Sequence, residues 1–63
     1  MKKLPPGYWM FNKISPEGKR LYQPILGTGW TVALWRGQEY GLWNDAVQEA
    51  IDHDAKDRPS KAV

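Results

Sequence analysis

Apolar positions in this chain come in short bursts separated by turn residues, and each burst has a recognisable period. Residues 8–14, Tyr-Trp-Met-Phe-Asn-Lys-Ile, are aromatic-rich and end on a β-branched side chain, which predicts a strand. Ser15-Pro16-Glu17-Gly18 follows, with proline second and glycine fourth, as a type I turn prefers. Residues 20–26 then return as the second strand of a hairpin. Pro24 removes a ladder donor within it, so this strand is expected at an edge or with a bulge there. Gly27-Thr28-Gly29 makes a second turn, and residues 30–36 form the strongest strand pattern in the chain. Residues 37–41 turn again, with room for a short strand at 39–42.

The period then changes to that of a helix, from Asn44 or Asp45 to about Ala55. Both Asn44 and Asp45 are good N-caps, and Asp45 with Gln48 has capping-box spacing. The apolar stripe is narrow: Val47, Ala50 and Ile51, with Ala46 beside it. Leu42 and Trp43 supply the missing area, so Trp43 is read as the anchor that sets the chain's angle into the helix. Residues 1–7 hold Pro5-Pro6-Gly7 and read as a flexible arm, residues 8–55 as a single β-β-β-α domain, and residues 56–63 as a disordered tail. The fold class is α+β: a three-stranded antiparallel meander with one C-terminal helix on one face.

Side chains alternate across a strand, so each strand offers two sets. Trp9, Phe11, Leu21, Ile25, Val32 and Leu34 form the more aliphatic set and are assigned to the helix. The other set is Tyr8, Met10, Tyr22 and Trp35, with Asn12, Arg20 and Thr31 around them. One short helix cannot cover both faces, so this second set is expected on an open face that binds a partner.

Composition sharpens the picture in two ways. Sixty-three residues make one small domain, and there is no cysteine to staple it. Four tryptophans, three tyrosines and one phenylalanine must therefore supply the apolar area. A chain without disulfides fits a reducing, cytoplasmic setting. Met1-Lys2-Lys3 is followed by prolines where a signal peptide would be apolar, and no apolar run is long enough to span a membrane. The net charge of +2 permits an anionic partner without demanding one.

Candidate chemistry is sparse. The single histidine, His53, lies between Asp52 and Asp54, and Glu49, His53 and Asp57 share an i, i+4, i+8 spacing. A solvated acidic helix face accounts for this more simply than a metal site, which recruits ligands from several elements. Ser15 and Ser60 have no histidine near them in sequence, and Gly27-Thr28-Gly29 lacks a phosphate loop's lysine. No enzyme, cofactor, metal or small-molecule substrate is expected.

The three-strands-then-helix plan with a basic arm resembles, in architecture, the small arm-binding and double-stranded-RNA-type modules. Trp43, Asp45 and Glu49-Ala50 follow those families' helix opening out of step, and their basic loop lysines are missing, so no functional residue carries over. The expectation is a non-enzymatic protein-binding module of adaptor or inhibitor type, similar in kind to those mobile elements encode. Its partner is a protein or a second copy of the chain, met by Tyr8, Met10, Asn12, Arg20, Tyr22 and Trp35. The alternative partner is nucleic acid, with Tyr8, Tyr22 and Trp35 stacking on bases and Arg20, Lys19, Lys13, Lys2 and Lys3 meeting phosphates.

Overall fold

The computed structural model describes residues 1–27 and 33–57. Strands β1 (Tyr8–Ile14), β2 (Arg20–Gly27) and β3 (Ala33–Arg36) precede one helix, α1 (Trp43–Asp57). The sheet is antiparallel with order β1-β2-β3, and α1 packs against β2, so the α+β meander with a C-terminal helix is the architecture observed. The expected start of the third strand, residues 30–32, and most of the expected tail lie outside the described residues.

The first hairpin follows its turn chemistry. Gly18 N–H donates to Ser15 O at 2.8 Å, Ser15 N–H donates to Lys19 O at 2.7 Å, and Gly18 sits at a φ of 86°, where glycine carries no Cβ penalty. From Ile14↔Arg20 to Tyr8↔Leu26 the register runs unbroken, straight through Met10↔Pro24.

Pro24 therefore occupies the central strand, contrary to the edge or bulge its missing donor implied. The neighbouring groups explain how. Gly37 N–H donates to Pro24 O at 2.8 Å, and the return bond of that pair would need a Pro24 N–H. Gln23 Nε2 donates to Gly37 O instead, at 2.7 Å. A side chain one residue away thus replaces the ladder donor that proline lacks. Farther along, Tyr22 and Tyr40 exchange backbone bonds of 2.7 and 2.8 Å, the one bridge realised from the short strand expected at 39–42. Between Gly37 and Tyr40 the second chain carries one extra residue, and the Gln38 N–H left over donates to Glu49 Oε1 of the helix at 2.9 Å. The register also shifts at Leu26/Gly27, where β2 meets β3.

The helix starts at Trp43, with Ala46 N–H donating to Leu42 O, one to two residues earlier than either N-cap candidate. Asn44 serves another purpose: its Oδ1 accepts the backbone N–H of Lys2 at 3.0 Å, while Trp43 Nε1 donates to Lys2 O at 2.8 Å. Lys2 Nζ also donates to Gln48 Oε1. The arm expected to be loose thus lies along the start of the helix. Ala46, Val47 and Ala50 are fully buried, and Trp43 is half-buried, edge-on to Tyr22 with ring centroids 5.7 Å apart. Leu42 and Ile51, assigned to the helix–sheet contact from sequence, are instead exposed, at 65% and 36%. The buried stripe runs 43, 46, 47, 50, 53, 54, so it turns away from Ile51 and continues through His53 and Asp54.

Two outcomes follow. Trp43→Ala should cost about 3 kcal/mol, the low end for truncating a buried aromatic, because the ring is half-buried; a melting midpoint within a few degrees of wild type would remove Trp43 as an anchor. Gly37→Ala should cost about 1–3 kcal/mol by overpacking. A Cβ there would lie 2.6 Å from Glu49 Oε1, 2.7 Å from Pro24 Cγ and 2.9 Å from the Trp35 ring, and the proline ring has nowhere to move. Denaturant unfolding of the variant measures that cost.

Candidate interaction surface

Residues opposite each other on paired strands share a face. The register places Tyr8 with Leu26 and Trp35, Met10 with Pro24, and Asn12 with Tyr22 on one face. This is the face the helix covers. Tyr8 is buried, Pro24 fully so, and Met10, Tyr22 and Trp35 are half-buried; Asn12 and Arg20 are exposed toward the hairpin turn. The expected face assignment is therefore inverted. The physical reason lies in the partners the helix offers: the Tyr8 hydroxyl reaches His53 Nδ1 at 2.6 Å, and the Tyr22 ring meets Trp43 edge-on. The Thr31 and Val32 assignments lie outside the described residues.

Tyr8 and Trp35 reach over Leu26 toward the end of the helix. Their rings meet edge-on at 6.0 Å, and His53 lies against both, stacked on Trp35 at 4.0 Å and edge-on to Tyr8 at 5.8 Å. The Tyr8 hydroxyl and His53 Nδ1 are 2.6 Å apart. Sequence reading put His53 on a solvated acidic face; the structure half-buries it against Trp35 and pairs it with Tyr8. The signal was present, since 46, 50 and 53 continue one helical stripe if histidine is counted as an aromatic. Glu49 is separately committed, to Gln38 N–H and to the Tyr40 hydroxyl. Among the described residues no group of three or more His, Cys, Asp or Glu is placed to hold a metal ion.

The opposite face carries the rows Lys13–Leu21, Phe11–Gln23 and Trp9–Ile25–Arg36, with Leu34 beyond Arg36 on the same side. Here Trp9 is 54% exposed and Leu34 76%, while Ile25 is buried between their strands at 5%. Trp9 Nε1 donates to Gly27 O at 2.9 Å, which fixes the indole diagonally across the sheet. Lys13 Nζ reaches over β2 to Glu39 at 2.7 Å, a surface ion pair that closes one end of the face; exposed Arg36 flanks the other. The result is an apolar strip of Trp9, Phe11, Ile25 and Leu34 with polar groups at its margins, the form that partner surfaces take.

The Tyr40 hydroxyl titrates above the usual tyrosine value of 10.0, first through desolvation, then through its hydrogen bond to the Glu49 carboxylate and the nearby charges of Glu49, Asp45 and Asp52. The folded state thus favours the neutral phenol. Its stabilisation is complete below pH 10 and is lost as pH rises through the raised folded value. Urea titrations at increasing alkaline pH should show wild type losing stability faster than Tyr40→Phe; equal slopes would show that Tyr40 does not carry the effect.

Comparison with known proteins finds no match: no family model matches the chain, and no curated protein or solved structure is significantly similar to it.

Proposed function

We propose that the chain is a non-enzymatic protein-binding module of adaptor or inhibitor type, acting in the cytoplasm, and that it binds through the sheet face opposite the helix. The observation that carries this reading is the exposure of Trp9 and Leu34 on one side of two different strands, with buried Ile25 between them. Trp9, Phe11 and Leu34 make the apolar centre; Lys13, Glu39 and Arg36 form the rim. Tyr8, Tyr22 and Trp35 support the surface from behind, because the helix already lies on their side. A rigid, pinned tryptophan at the centre of a patch is the kind of side chain that dominates an interface.

A nucleic-acid partner is favoured by one observation. Six basic and two acidic residues precede the helix, while α1 holds five acidic residues and one lysine. The segment before the helix is thus basic and the helix acidic, with Lys2 held on the helix itself. On the open face itself, however, Lys13 is engaged with Glu39, which leaves Arg36 as the cation beside Trp9. That is sparse for a phosphate track.

The test is capture from native lysate with and without nuclease, followed by reconstitution from the purified partner. Wild type is compared with Leu34→Ser, whose exposed position makes the fold indifferent to it, and with Trp9→Ser. Binding should survive nuclease, change little with salt, and weaken by about 2 kcal/mol or more with Trp9→Ser. Loss on nuclease treatment, with a steep fall in affinity between low and moderate salt, would establish phosphate contacts instead.

A further inference from the structure

The geometry points to a second copy of this chain at the outer edge of β1, forming a two-fold dimer through a continuous six-stranded sheet. This surface is an edge and not the open face, so the inference stands apart from the binding reading above.

The backbone bonds at the two ends of β1 set the phase of the edge. Gly27 N–H donates to Gly7 O, and Ser15 N–H donates to Lys19 O. Odd-numbered residues of β1 therefore point their backbone groups at β2, and the even-numbered Met10 and Asn12 point theirs outward. Among the described residues no strand or loop pairs with that edge.

Sheet edges in monomeric proteins are defended by shortness, bulges, prolines or free charges. Among the described residues the β3 edge has one of these, a register shift where it meets β2. β1 has none of the four. It is seven residues long, without proline, in unbroken register, and its single charge is neutralised by Glu39.

The occupant follows from the symmetry of the strand. In an antiparallel pair about a two-fold axis, residues of equal parity face each other, so outward groups meet outward groups. Centring the axis on Phe11, the middle of β1, overlaps the whole strand. Met10 and Asn12 of each chain then exchange both backbone bonds with Asn12 and Met10 of the other. On the open face Phe11 meets its own copy, in the closer type of cross-strand pair. Trp9 lies opposite the other chain's Lys13, whose charge is held by Glu39, so the strand's one charge does not face itself. On the helix side Ile14, 57% exposed in the single chain, lies opposite the other chain's residue 8 and is covered by that strand. No like charges are opposed anywhere along the pair.

Purified chain is examined by light scattering across a dilution series, with residue-resolved amide exchange at high and low concentration. The expected mass rises toward twice 7.3 kDa, and protection of the Met10 and Asn12 amides rises with it. Asn12→Pro deletes an outward N–H and no β1–β2 bond, so it should weaken the dimer at least tenfold while the β1–β2 amides stay protected. Leu34→Ser should leave the dimer intact. A single-chain mass at the highest concentration overturns the proposal, as does a dimer in which Met10 and Asn12 exchange at a concentration-independent rate. If Asn12→Pro does not fold, the wild-type exchange series decides alone.

Discussion

Everything on the helix side depends on a proline being tolerated in the middle of the sheet. Pro24 lies fully buried in β2, with strands on both sides. The half-buried Gly37 carbonyl left without its donor at that point would cost about 1 kcal/mol. Gln23 prevents this by donating to Gly37 O, Gly37 lets the chain approach the proline ring, and Glu49 takes up the extra N–H of Gln38. These four residues form one joint between the sheet, the loop after β3 and the helix. Neither the Tyr22–Tyr40 bridge nor the Glu49–Tyr40 bond would form if the loop left the sheet at Pro24.

The second constraint is a match of sizes. The helix presents alanines and a valine, and the sheet presents rings. Tyr8 fits that gap because its hydroxyl finds a partner in His53, and at the start of the helix Trp43 Nε1 meets the Lys2 carbonyl. The arm completes the cover. With both sources of cover on one side, the other face keeps its tryptophan and leucine exposed.

Much of the fold was legible in the sequence. Ser15-Pro16-Glu17-Gly18 set the hairpin, the aromatic runs set the strands, and the spacing of Ala46, Val47 and Ala50 set the helix. The two side-chain sets of each strand were also separable. Which set faces the helix was not, because parity is symmetric and both sets are apolar. The choice was made by hydrophobicity, which favoured Trp9, Phe11 and Leu34, while in the fold the covered rings are those that find partners on the helix. The helix stripe was misread at its end for a related reason: His53 and Asp54 are polar by type, yet Asp54 is buried and His53 half-buried. The Gln23 substitution for a missing backbone donor has no local signature, because it depends on where Gly37 lies in space. The candidate surface followed the face assignment, so its kind was readable and its residues were not.

The bonds that close this domain join its two ends: Lys2 to Trp43, Asn44 and Gln48, and Tyr8 to His53. During synthesis the β1–β2 hairpin can form as soon as residue 27 is available, since its contacts are local. At that stage the rings of Tyr8 and Tyr22 have no helix above them, and Lys2 has nothing to hold. Both faces of the nascent sheet are then apolar, and the β1 edge is open. The growing chain passes through a state more adhesive than the folded one, and it ends only when the helix has been made.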